Sequence, residues 1–146
     1  MASTTAEMLI LDTDHMSEFN RGSTSARVLR DRLVNVLRVK ATTIVTAENL
    51  LRGRLAQTAK ARSPQNSIEA YVRLHEAIAH LKDWTMLPFD GRAVAMYDRL
   101  RASRLGVGTM DLRIAGIAIA NNATLLSRNL RDFERVPGLT VEDCLQ

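Results

Sequence analysis

A chain of 146 residues with 46% hydrophobic and 25% charged residues has the size and balance of one globular domain able to bury a sizeable core, which excludes a disordered or fibrous chain. Its single cysteine, Cys144, excludes an intrachain disulfide and a cysteine cluster for zinc, so a reducing cytoplasm is the expected setting. The net charge of +4, from 20 Lys plus Arg against 16 Asp plus Glu, favours a polyanionic partner or an acidic protein partner, although solubility alone accounts for it equally well.

The N-terminal MASTTAE lacks the basic start and apolar run of a signal peptide. No stretch approaches the roughly 18 apolar residues of a membrane span, so no membrane association or export is expected. The first apolar run, Met8–Leu11, is too short for a helix, and similar runs recur at Thr42–Val45, Thr85–Leu87, Ala123–Leu126 and Leu139–Val141. Between them, apolar residues spaced by three and four, such as Leu29, Leu33, Val36 and Leu37, predict helices over Thr24–Arg38, Ala47–Ala61, Ser67–Trp84, Arg92–Ser103 and Met110–Asn121. Boundary chemistry agrees: Ser63-Pro64 separates two helices, Asp90 can cap a third, and Gly106-Val107-Gly108-Thr109 precedes the helix of Asp111. Strands alternating with helices predict an α/β fold, a central parallel β-sheet of about five strands flanked by α-helices. With no repeat and no interdomain linker, residues 1–146 are expected to form a single domain. The consecutive helices between Thr46 and Trp84 form either an extra arm suited to dimerisation or ordinary cover for the sheet.

In such a fold ligands bind beyond the carboxyl ends of the strands. Asp12 follows the first apolar run directly, where a charge is unfavourable unless paired, hydrated or bound to a metal. Glu48 comes three residues after Val45 and is expected at the same end of the sheet, and Asp111 opens the helix of MDLRIAGIAIANN. Favourable contact with a helix dipole accounts for either of the last two taken alone. Three gathered acids repel one another and raise each other's pKa, which a divalent cation relieves; all-oxygen ligation suits magnesium or manganese and phosphodiester chemistry. Asp-Thr-Asp also resembles the Asp-x-Asp of haloacid-dehalogenase-like phosphatases, but Met16 replaces their Thr or Val, and no convincing late acidic pair or catalytic lysine follows. Asp14 is therefore read as a helix N-cap and hydrogen-bond partner of the site.

Four segments in order, LILDTDHMSEF, TIVTAENLLRG, GTMDLRIAGIAIANNATLLSRNLRDFERVPGL and the terminal VED, resemble the PIN-domain ribonucleases, and within them the VapC-type toxins of toxin–antitoxin pairs. The resemblance implies a metal-dependent endoribonuclease with magnesium or manganese held by three or four acidic positions. It implies metal-ligand roles for Asp12, Glu48 and Asp111. The fourth position departs from the acidic pattern: Asn129 aligns best, and Asp132, one turn on, is the alternative carboxylate. Weaker binding of a second metal is the consequence expected of that departure. Ser127 is expected to bond a ligating carboxylate or the scissile phosphate, or to cap the strand end; Thr13 and Thr109 are lesser candidates. The resemblance further implies 5′-phosphate and 3′-hydroxyl products, a homodimer, and a cognate antitoxin that blocks the acidic cleft.

Among the arginines, Arg128 and Arg131 adjoin the expected acidic centre and are candidates for RNA phosphate contacts. Arg52, four residues after Glu48, reads as its salt-bridge partner. Aromatic residues make up only 4%, which argues against a base-stacking platform and fits recognition of folded RNA shape and backbone. His15, His75 and His80 show no ligand spacing. The rival expectation is a noncatalytic PIN-scaffold interaction module, supported by Asn129; a phosphomonoesterase built on Asp12 and Asp14 is more distant.

Overall fold

The computed structural model describes residues 8–21, 24–35 and 40–145. Its first strand, β1 (Leu9–Leu11), is fully buried and sends alternate side chains to opposite sides: Leu9 and Leu11 join one apolar cluster and Ile10 the other. A strand covered on both faces reads as an unbroken apolar run, which is why this one stood out in the sequence. With β2 (Lys40–Thr43), β3 (Thr85–Leu87), β4 (Thr124–Leu126) and β5 (Thr140–Glu142) it forms the expected parallel sheet, five strands in the order β3-β2-β1-β4-β5.

The chain winds from β1 outward to β3, then returns to place β4 on the other side of β1. This reversal of winding direction leaves a crevice between β1 and β4, where ligands bind in open α/β sheets. Register pairs Leu11 with Leu126, so Asp12 and Ser127 leave the sheet side by side.

Seven α-helices cover the sheet among the described residues: α1 (Thr13–Arg21), α2 (Arg27–Asn35), α3 (Ile44–Lys60), α4 (Pro64–Leu81), α5 (Gly91–Ala102), α6 (Thr109–Ala120) and α7 (Leu130–Phe133). On one face, Ala93, Tyr97 and Leu100 of α5 pack with Ile114, Ala115, Ile117 and Ala118 of α6 around Ile10 and Leu125. The close approach of these helices needs Gly116, because a Cβ there would stand 2.9 Å from the Ala93 carbonyl oxygen. On the other face, Met16, Leu29, Ala47, Leu81 and Trp84 gather around Leu9, Leu11 and Leu126.

Some boundaries differ from the sequence expectation. The second strand lies two residues earlier than Thr42–Val45, because Thr43 is the N-cap of α3: its hydroxyl accepts the Thr46 amide at 2.9 Å, which turns Ile44 and Val45 into the helix. Helices α1 and α7 were not delimited as spans in the sequence, although Asp14 was read as the cap of a helix. The third and fourth expected helices begin earlier, with Ser63 accepting the Asn66 amide and Asp90 that of Ala93. The end of the first expected helix, with Val36 and Leu37, lies outside the described residues, as does MASTTAE.

The α3–α4 hairpin contributes Ala47 and Leu81 to the core and so covers the sheet, while its outer surface exposes Leu55, Ile68, Tyr71, Val72 and Ile78. Among the described residues no helix is long and apolar enough to cross a membrane.

Candidate active site

Asp12 is fixed by its neighbours on both sides of the crevice. Its amide continues the ladder to the Leu126 carbonyl at 2.9 Å, and its carbonyl accepts the Met16 amide at 3.0 Å as α1 begins. One carboxylate oxygen accepts the Thr13 amide and the other the Ser127 hydroxyl, each at 2.9 Å. Burial pushes its pKa above the ordinary 3.8 and the charge of Asp14 adds to this, while the Thr13 and Ser127 hydrogen bonds oppose the shift.

Asp12, rather than Asp14, thus takes the position before α1. Asp14 is the second residue of that helix, and its carboxylate turns outward from it: Oδ1 lies 2.6 Å from His15 Nδ1, and Oδ2 accepts the Arg128 amide at 3.1 Å. Burial works against this charge, but the bonds from His15 and Arg128 outweigh it and hold the Asp14 carboxyl below its ordinary range.

The segment after β4 supplies the opposite wall. Ser127 is fully buried, donates to Asp12 and accepts the Asn129 amide at 3.0 Å, so its hydroxyl is committed as donor and as acceptor. The Asn129 side-chain amide donates to Asp111 Oδ2 at 3.2 Å and to Asp132 Oδ2 at 3.3 Å. Asp111, the third residue of α6, has its pKa raised first by burial and then by the charges of Asp12 and Asp132. The side chains of Arg128 and Arg131 are exposed beside this cluster.

The structure therefore links Asp111 and Asp132 through Asn129, places Asp12 near enough for its charge to raise the Asp111 pKa, and sets Ser127 against Asp12. It holds Glu48 differently. Glu48 lies in the second turn of α3, half exposed, with Oε2 accepting Arg52 Nη2 at 2.7 Å. It borders a depression of about 510 Å³ shared with Phe89 and with Arg113 of α6. Among the described residues no three Asp, Glu, His or Cys side chains are gathered so as to hold a metal ion. The donor chemistry nevertheless fits a hard cation, because Asp12 and Asp111 offer carboxylate oxygens whose pKa burial raises, with the charge of Asp14 adding to the first and those of Asp12 and Asp132 to the second.

His15 is the functional-site residue that sequence reasoning passed over. It is fully buried, its Nδ1 faces Asp14, and its Nε2 accepts the Cys144 amide at 3.0 Å, which fixes the neutral tautomer protonated on Nδ1. It thereby links the C-terminal segment to Asp14 and, through Asp14, to the turn that carries Ser127 and Asn129. Its place beside Met16, on the buried stripe of α1, was the available signal.

A family model, the PIN domain, matches residues 9–139. Ribonuclease VapC1 of Rickettsia felis is 40% identical over 62 residues, 40% of this chain and 46% of the relative. The tRNA(fMet)-specific endonuclease VapC of Salmonella typhimurium is 39% identical over 62 residues, 40% of this chain and 47% of the relative. The aligned stretch thus spans just under half the length of these curated relatives. The crystal structure of DNA-bound VapBC from Salmonella typhimurium superposes with a TM-score of 0.70 at 25% identity, covering 96% of this chain and 99% of that one.

Proposed function

We propose that this chain, which belongs to the PIN domain family, is a magnesium- or manganese-dependent endoribonuclease and the toxin of a VapBC-type toxin–antitoxin pair. The observation that carries the reading is the pair Asp12 and Asp111, held above their ordinary pKa by burial and by neighbouring carboxylates in the crevice between β1 and β4. In a PIN chain that arrangement is what a divalent cation and a phosphodiester require. The match over residues 9–139 supports reading residues 1–146 as a single PIN domain.

Asp12, Asp111 and either Asn129 or Asp132 would hold the ion, with Glu48 joining once its side chain leaves Arg52. A bound magnesium or manganese ion supplies positive charge to phosphate oxygens and makes water a stronger nucleophile. The chain's own residues do the positioning. Ser127 holds the Asp12 carboxylate, Asp14 holds the Arg128 amide and so the turn after β4, and the exposed side chains of Arg128 and Arg131 face an approaching RNA backbone. The test is to map the ends of the RNA products, with the tRNA named for the Salmonella relative as the first substrate: 5′-phosphates and 3′-hydroxyls are expected, whereas 2′,3′-cyclic phosphates would sink the reading.

A cytoplasmic setting, a cognate antitoxin and a homodimer belong to the same proposal. The apolar outer surface of α3 and α4, with Ile68, Tyr71 and Val72 exposed, supports a protein interface. One observation favours a noncatalytic interaction module instead: the Asn129 amide already satisfies Asp111 and Asp132. RNA or partner binding without cleavage in any metal would favour that reading.

A further inference from the structure

A second feature adjoins the site described above. Directly beside Asp12, Thr13 begins the wall of a cavity of about 310 Å³ between α1, α3 and α4. Its lining carries Arg21, Arg54 and Arg73 against one carboxylate, Glu76, so the cavity is positively charged. Arg21 is engaged by Glu18 at 3.2 Å, but Arg54 and Arg73 have no ion-pair partner among the described residues. Thr13 is one of the lining residues, and its hydroxyl is buried with no hydrogen-bond partner among the described residues. Two guanidinium groups and a hydroxyl able to donate suit an anion with several acceptor oxygens, and the guanidinium fork matches a phosphate in particular. A nucleic-acid strand passing Asp12 carries such a group at every nucleotide.

We propose that this cavity binds a backbone phosphate of single-stranded RNA flanking the scissile bond, with Arg54 and Arg73 neutralising it and the Thr13 hydroxyl donating to it. The inference rests on the nuclease reading for its substrate. It assigns to the α1–α3–α4 side the strand contact that Arg128 and Arg131 provide on the other.

The experiment measures binding of a short, mixed-sequence, fluorescein-labelled oligoribonucleotide across a salt series, using the full chain carrying Asp111→Asn so that RNA stays intact. In that background the Arg54→Gln/Arg73→Gln pair is expected to weaken binding about tenfold and to reduce the salt dependence by about 0.7 per lost phosphate contact. Arg99→Glu, an exposed change on α5 that lowers the net charge by as much as the arginine pair does, controls for net charge and is expected to leave both unchanged. Thr13→Val is expected to weaken binding without lowering thermal stability, because its hydroxyl has no partner to lose within the described chain. Equal affinity and equal salt slope for the arginine pair and the control would overturn the inference and leave the cavity to an acidic segment of a protein partner.

Cleavage kinetics separate this inference from the reading beneath it. In an otherwise unchanged chain, the arginine pair is expected to raise KM while kcat holds. Cleavage with the original KM would remove the phosphate site and leave the nuclease standing. Arginine-dependent binding by a chain that never cuts RNA would do the reverse.

Discussion

Asn129 donates its side-chain amide to Asp111 at 3.2 Å, so a neutral residue occupies the point where the acidic cluster closes. The same amide reaches Asp132 at 3.3 Å, and only the nitrogen can face two carboxylate oxygens without repulsion. Asn129→Asp replaces a shared donor with a further charge. In chelator it is expected to destabilise the chain by about 1.5 kcal/mol, the scale of a lost hydrogen bond to a charged group. With magnesium it is expected to tighten binding and favour a second ion. Calorimetric titration of both proteins checks this, and two strong sites in the unmodified chain would contradict the role given to Asn129.

The acid dependence of stability follows from the same cluster. Burial, and for Asp111 the charges of Asp12 and Asp132, raise the pKa of these carboxyls above 3.8 in the folded chain. The folded state then holds protons more tightly than the unfolded state, so their contribution is fully present below 3.8 and is lost as pH rises through the folded value. Asp14 has the opposite sign: its lowered pKa gives stability that is present above 3.8 and lost as pH falls through its folded value. In metal-free buffer, Asp111→Asn is therefore expected to melt higher relative to the unmodified chain as pH rises from acid to neutral. A difference in Tm that stays constant across the series would count against the cluster's repulsion.

His15 joins Asp14 to the Cys144 amide, and both partners lose their bond when the ring is removed. His15→Leu supplies an apolar side chain of similar bulk but removes the bonds that His15 makes to the Asp14 carboxylate and to the Cys144 amide. Urea unfolding is expected to show a loss of about 2–4 kcal/mol. Because Asp14 also holds the Arg128 amide, kcat for RNA cleavage should fall in the folded fraction as well. Unchanged stability would show that water satisfies both groups.

Glu48 and Arg52 form an exposed pair at 2.7 Å, with 49% and 64% of the side chains accessible. Such a pair contributes little, so Arg52→Gln is expected to change stability by less than about 0.5 kcal/mol. If Glu48 joins the ion, Glu48→Gln lowers magnesium affinity and cleavage while Arg52→Gln does not. Equal cleavage by Glu48→Gln and the unmodified chain would confine Glu48 to its ion pair.

How much of this was legible in the sequence depended on which interactions were local. Met8–Leu11 and Ala123–Leu126 were visible because strands covered on both faces leave continuous apolar runs. Ile44 and Val45 misled, since β-branched residues favour strands and the single hydroxyl of Thr43 decides that a helix begins there. Asp12 and Asp111 could be placed from their position after a strand and at the start of a helix. The rotamer of Glu48 could not, because spacing puts both Arg52 and the crevice within its reach. His15 was missed because its partners, Asp14 and Cys144, are joined only by the packing of the C-terminal segment on α1, a contact across 129 residues of chain.

The crevice between β1 and β4 is expected to cut RNA with the help of a divalent cation. Purified protein, shown to be folded and free of antitoxin, should be incubated with total cellular RNA in magnesium, in manganese and in chelator, beside Asp12→Asn. Discrete fragments that form with metal, disappear in chelator and are absent with Asp12→Asn are the expected result. No cleavage in either metal, or equal cleavage by Asp12→Asn, would contradict it.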